Sequence, residues 1–227
     1  MSRAATSTPA VRTRARKGEG ELLHSEILDA AERLLIETGS EEAVSIRRIA
    51  EAVGVTPPSI YLHFADKDEL LLAVCERQFA ELHRVMEEAV VGVDDPVEAV
   101  YRRGKAYVRF GLDHPEQYRI LFMRSADHTM DAPDEARVRD ASSFDHFVDA
   151  VARSIDSGAL PKGSDPLVVA LELWSVVHGI TSLLIAKPMF DWPDADALTD
   201  HLLTSACAGL MATPPFSAPP TRRRSRR

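Results

Sequence analysis

Thr56, Ser59, Tyr61 and His63, followed by Lys67, gather hydroxyl, phenol, imidazole and ammonium groups on one short stretch of the chain. Groups of this kind donate and accept hydrogen bonds at neutral pH, and their spacing matches no nucleophile elbow, phosphate loop or metal motif. The chemistry they suit is recognition of a nucleic acid. Thr56 offers a methyl group to thymine or a hydroxyl to phosphate, Tyr61 donates to phosphate or stacks on sugar, and Pro57 offers a base only van der Waals contact. Upstream, Ser45 caps a helix whose first turn carries Arg47 and Arg48, two cations of equal standing for a phosphate. Lys67 lies in the first turn of a helix, where the macrodipole disfavours a cation by about 0.3–1 kcal/mol. A phosphate at that terminus would remove the penalty.

The elements that must hold these groups are helices. Over residues 21–38 the apolar positions 23, 27, 30, 31, 34 and 35 fall at helical spacing, and Gly39 is a plausible C-cap. Ser45 opens a short helix with Ile46, Ile49, Ala50 and Val53 on one side, and Gly54 permits the turn that follows. Thr56-Pro57-Pro58 starts the next helix, with Thr56 as N-cap and proline in the first turn. The helix is read as ending in Tyr-Leu-His-Phe at Phe64, and its Ile60 and Phe64 point into a small core beside Val53 and Val55. Asp66, with Glu69 three residues on, starts a long helix running to about Val91. Two short helices joined by a tight turn are the unit that places its second helix in a DNA major groove. Further helical patterns follow at about 96–112, 115–125, 133–157, 165–187 and 194–212. No run alternates as a half-buried strand does, so the expected fold is all-α.

Charge divides the chain unevenly. The net charge is -8. The first twenty residues hold Arg3, Arg12, Arg14, Arg16 and Lys17 against Glu19, and the tail ends in Arg222, Arg223, Arg224, Arg226 and Arg227. Setting aside those ten basic residues and one acid leaves 17 basic and 34 acidic residues between 21 and 212. An acidic body repels nucleic acid, so binding falls to a local surface assisted by the basic arm. Residues 1–20 are read as a disordered basic arm, 21–66 as the helix-turn-helix domain, 67–212 as a helical body and 213–227 as a disordered Pro/Arg tail. Cys75 and Cys207 make no disulfide framework, and the N-terminus has no apolar signal region, which points to the cytoplasm. The apolar stretch 167–186 contains Glu172, His178 and Gly179 and reads as a core helix, so no membrane partner is expected.

Residues 22–72 resemble the TetR family of bacterial transcription regulators. The resemblance rests on Ile49-Ala50, Gly54-Val55, Ile60-Tyr61, His63-Phe64 and Lys67 with Leu70-Leu71. The body resembles a subgroup with a Trp-x-x-x-His-Gly signature through Trp174, His178 and Gly179, and through the stretch 114–122. The resemblance implies an obligate homodimer with a three-helix reading head. It also implies a body that binds a small effector and dimerises through its last two helices. The expected function is repression at a near-palindromic operator in double-stranded DNA, released by a small, largely apolar molecule, with no cofactor. Pro57-Pro58 departs from the family pattern, and the head itself is acidic.

For the effector, the body offers Tyr107, Phe110, Tyr118, Phe122, Phe144, Phe147, Trp174 and His178. Trp174 and His178 are four apart and share a helical face; with Phe144 and Phe147 opposite, they would make an aromatic cavity with a few polar handles. Plain core packing is the competing reading for each aromatic. Wide apolar faces over 165–186 (Leu167, Leu171, Val176, Leu183) and 194–212 (Leu198, Leu202, Leu203, Leu210) invite a partner helix pair. Among rival readings, an enzyme lacks any motif. A metal sensor would draw on Asp127, His128, Asp145, His146 and Asp149, and a redox sensor on Cys75 or Cys207. An activator with the same fold is the remaining alternative.

Overall fold

The computed structural model describes residues 19–122, 137 and 144–212. Among them the regular structure is helical throughout: α1 (Glu19–Thr38), α2 (Ile46–Val53), α3 (Pro57–Ile60), α4 (Lys67–Glu88), α5 (Pro96–Asp113), α6 (Pro115–Phe122), α7 (Phe144–Asp156), α8 (Pro166–Ala186) and α9 (Ala195–Ala212). Most helix starts follow from local chemistry. Asp95 and Asp165 each precede a proline at the first helical position. Their carboxylates accept from the N–H groups of Val97 and of Leu167, both at 2.9 Å. Proline loses nothing there because that N–H has no helical partner. Asp194 caps α9 in the same way through Ala197 N–H at 2.8 Å. Of the segment 133–157, residues 133–136 and 138–143 lie outside the described residues.

Among the described residues the chain divides into two compact units: 19–79 with 119–122 and 137, and 80–118 with 144–212. Helix α4 therefore supplies residues to both.

The first unit is built on a small apolar core. Ile27, Ala31, Leu34 and Leu35 of α1 meet Val44, Ile49 and Ala50 around α2, Ile60 of α3, Phe64, and Leu70 and Val74 of α4. Val53 and Val55 pack against this core, as their spacing predicted, and Ile120 joins it from α6. The turn between α2 and α3 depends on Gly54, which sits at φ 78°, ψ 32° and donates to Ala50 O at 2.9 Å. Only a residue without Cβ enters that left-handed region at no steric cost.

The second unit packs α8 against α5, α7 and α9, with α5 also meeting α7 and α9. One core patch joins Val100, Val151, Ile155, Leu160, Val169, Ala170 and Leu173. Helix α8 is long and apolar enough, by length and composition, to cross a membrane. Here its Val169, Ala170, Leu173, Val177, Ile180, Thr181 and Ile185 are buried within the unit. The core-helix reading thus describes these residues, although Leu167, Leu171 and Leu183 of the same helix remain exposed.

Candidate functional site

The reading head is assembled by the α2–turn–α3 unit. Ser45 holds an extended N-cap conformation and its hydroxyl accepts from Arg48 N–H at 3.3 Å. Arg47 and Arg48 are both exposed. The Arg48 guanidinium donates through Nη1 to Ala43 O at 2.5 Å, in the loop before α2.

Thr56 stands at the N-cap of α3, yet its side chain makes no capping hydrogen bond. Its hydroxyl pairs with Ser59 Oγ at 3.1 Å, while Ser59 N–H donates to Thr56 O at 2.9 Å. Two exchangeable hydroxyls are thus held side by side at the helix start. Helix α3 is a single turn, shorter than the pattern implied, and is closed by His63 and Phe64 N–H groups donating to Ile60 O. Pro57 is exposed, Tyr61 is 53% exposed, and Ile60 beneath them is fully buried. Burial of Ile60 and Phe64 is what turns Thr56, Pro57 and Tyr61 outward.

His63 is less available than its position implied. It is half-buried, and its ring lies 5.8 Å from His24, which stacks on Phe64 at 4.6 Å. Burial, and secondarily the neighbouring His24, push its pKa below the ordinary histidine value.

Lys67 begins α4. Asp66 accepts from Glu69 N–H at 2.8 Å while the Glu69 carboxylate accepts from Ala65 N–H, the reciprocal box its sequence announced. The Lys67 ammonium donates to Glu41 O at 2.5 Å, in the loop before α2. A carbonyl dipole therefore already answers the cation at this helix start.

In the second unit, the residues proposed for an effector gather in part. Tyr118, on α6, is fully buried, and its hydroxyl lies 2.8 Å from His178 Nδ1, 3.2 Å from Ser182 Oγ and 3.3 Å from His178 O. Tyr107, on α5, reaches His178 Nδ1 at 3.1 Å and Tyr118 Oη at 3.3 Å. Trp174 Nε1 donates to the Tyr107 hydroxyl at 3.4 Å. Burial raises the pKa of both phenols and lowers that of His178. All three groups are thereby held neutral. A neutral imidazole that accepts Tyr118 O–H at Nδ1 carries its proton on Nε2, which lies 3.4 Å from Ser182 Oγ.

Phe144 lies 5.6 Å from the Trp174 ring and 6.3 Å from Phe147. Two predicted lining residues have other neighbours: Phe110 is buried against His114, and Phe122 belongs to the first unit, where its ring meets Phe79 edge-on. Sequence reasoning passed over Ser182, four residues beyond His178 on the same helix face, a spacing that could have been read. His146 and Asp149, weighed for a metal, line a space of about 300 Å³ together with His83, Glu87, Arg103 and Arg153, which sequence reasoning did not bring to them. Of the residues weighed for a metal, Asp127 and His128 lie outside the described residues. For the redox reading, burial raises the Cys207 pKa, which disfavours its reactive thiolate.

His178 gives a pH test. Its folded pKa is lowered, so protonation favours the unfolded chain. The stability at stake is present above the unfolded pKa of 6.5 and is lost as pH falls toward the folded value. The His178→Asn variant lacks this titration. The stability difference between wild type and variant, from melting curves, should shrink between about pH 7 and pH 5.

Two family models match the chain. The model described as bacterial regulatory proteins, tetR family, matches residues 27–74. The model described as tetracyclin repressor-like, C-terminal domain, matches residues 100–206. The HTH-type transcriptional repressor AcnR of Corynebacterium efficiens is 32% identical over 165 residues, 70% of this chain and 80% of that protein. The chain belongs to the TetR family. As a TetR-family protein it is a DNA-binding transcription regulator of the helix-turn-helix type. The HTH-type transcriptional activator FasR of Mycolicibacterium smegmatis is 26% identical over 190 residues, 83% of each chain. The match to an uncharacterized HTH-type regulator of Haemophilus influenzae covers 61% of that protein. A solved structure from Rhodococcus sp. RHA1, of unknown function, superposes with a TM-score of 0.71 at 26% identity, covering 83% of this TetR-family chain and 95% of that one.

Proposed function

We propose that the chain is a homodimeric repressor that reads a near-palindromic operator through Thr56, Pro57, Ser59 and Tyr61 and is released by a small, largely apolar effector. The observation that carries the DNA half is the outward set of Thr56, Pro57 and Tyr61 above the buried Ile60. Ser45, the exposed Arg47 and the basic arm then contribute backbone contacts.

Dimerisation is supported by the apolar residues that the second unit leaves exposed on its last two helices: Leu167, Leu171 and Leu183 of α8 and Met211 of α9. A face this apolar is ordinarily covered by a partner. Two-fold symmetry would set two heads one DNA turn apart.

Effector control is supported by the Tyr107–Tyr118–Trp174–His178 cluster beside Phe144 and Phe147. A ligand there meets an apolar wall and a short neutral hydrogen-bond chain, which suits a mostly apolar molecule with one or two polar atoms. The Trp174, His178 and Gly179 signature marks this site in our reading. Binding would then favour a second arrangement of the heads, with α4 as the shared element. Operator affinity, measured by anisotropy with and without small molecules that raise the melting temperature, tests this. Equal affinities in both states would end the effector reading. Activation is the second reading, favoured by the relative named as an activator. Transcription in vitro from the bound promoter decides between them.

A further inference from the structure

We infer that Arg48 and Lys67 are positioning residues for DNA reading, acting as a two-cation clamp on the loop between α1 and α2. This deepens the DNA half of the proposed function and is independent of effector and of repression or activation. The loop is short and carries the start of α2. Gly39 ends α1 by donating to Leu35 O at 2.8 Å, and the next turn closes through Val44 N–H to Glu41 O at 3.1 Å. Val44 is fully buried, which anchors the loop to the core of the first unit.

Two of the loop's carbonyls are met by cations from different helices. Arg48 comes from α2 and reaches Ala43 O; Lys67 comes from the first position of α4 and reaches Glu41 O, each at 2.5 Å. One clamp spans five residues and the other spans 26. Together they tie the start of α2, where Ser45 and Arg47 stand, to the start of α4.

The donor choice has a physical reason. Hydrogen bonds from a charged donor are roughly twice as strong as neutral ones, and an ammonium retains further N–H groups after donating once. The clamp also explains a cation at a helix N-terminus without calling on DNA, because the Glu41 carbonyl oxygen offsets the positive N-terminal end of the macrodipole.

The test separates positioning from direct phosphate contact. The full-length protein and its Arg48→Met and Lys67→Met variants would be titrated, over a salt series, against a duplex selected from a random library. Amide exchange would be followed at residues 41–45. The clamp predicts about tenfold weaker binding for each variant, an unchanged salt slope and faster exchange at 41–45. It also predicts that Lys67→Arg, whose longer fork reaches the same carbonyl, recovers most of the affinity. Each lost phosphate contact would instead lower the slope by about 0.9. A lowered slope overturns the inference whatever the exchange does, and so does an unchanged slope with unchanged exchange. Should a Met variant fail to fold, Lys67→Gln and Arg48→Gln carry the same comparison.

Discussion

Leu171→Asp combined with Leu183→Asp is expected to leave the protein folded, monomeric and at least 100-fold weaker on its operator. Both leucines are large, and they are 41% and 50% exposed in the isolated chain. Neither belongs to the buried core of the protomer, so the melting transition of the monomer should survive, somewhat lowered. In a two-fold seam the same two residues count four times. Full burial of a leucine contributes about 1.5–3 kcal/mol, and with about half of each side chain still exposed the four together represent roughly 3–6 kcal/mol of association, an upper figure. Few dimers tolerate that loss, and carboxylates brought to the seam add repulsion. Sedimentation velocity gives the mass, and anisotropy gives the affinity. A variant that stays dimeric would place the seam elsewhere.

Gly111→Val should cost more than about 2 kcal/mol, against the usual expectation for a glycine inside a helix. At an open position, replacing glycine in a helix interior gains a few tenths to about 1 kcal/mol. Here a Cβ on Gly111 would stand 2.3 Å from Thr181 Cγ2 and 2.9 Å from Tyr118 Cδ2. Neither neighbour can retreat easily. Thr181 is fully buried and bonded to Val177 O at 2.7 Å, and Tyr118 is pinned by the His178 and Ser182 contacts. Overpacking by 1–3 kcal/mol therefore outweighs the propensity gain, and the two methyl groups of valine deepen it. The tyrosine hydroxyl would also be displaced from His178 Nδ1, leaving buried polar groups less well paired. Chemical denaturation measures the loss, and effector affinity should fall with it. A variant as stable as wild type would mean that α5 and α8 pack less closely than described.

Gly111 illustrates what one sequence does not disclose. Its role depends on two side chains far along the chain, and no local pattern marks it. Lys67 is a similar case. Its place in the first helical turn was legible and was read as a seat for a DNA phosphate; in this structure the ammonium meets a carbonyl 26 residues upstream. Thr56 was read rightly as the N-cap position, but its hydroxyl pairs with Ser59 Oγ: the two prolines that follow have no N–H, and the next N–H, that of Ser59, donates to Thr56 O. By contrast, local signals carried the elements well. Ser45, Asp95 and Asp165 mark helix starts that the structure keeps, Gly54 marks the left-handed turn, and Asp66 with Glu69 forms the box. Trp174 and His178 share a face because helical spacing requires it, and their rings lie 5.4 Å apart. What spacing could not supply was the tyrosine pair that meets them from α5 and α6.

The most direct trial of the account is a hydroxyl-radical footprint of the full-length protein on a duplex selected from a random library, with sedimentation giving the stoichiometry. Two protected half-sites about one helical turn apart, each lost in a Thr56→Ala, Tyr61→Ala variant that still melts as wild type, is the predicted outcome. A single protected patch occupied by one protomer, or a footprint indifferent to those two substitutions, would contradict it.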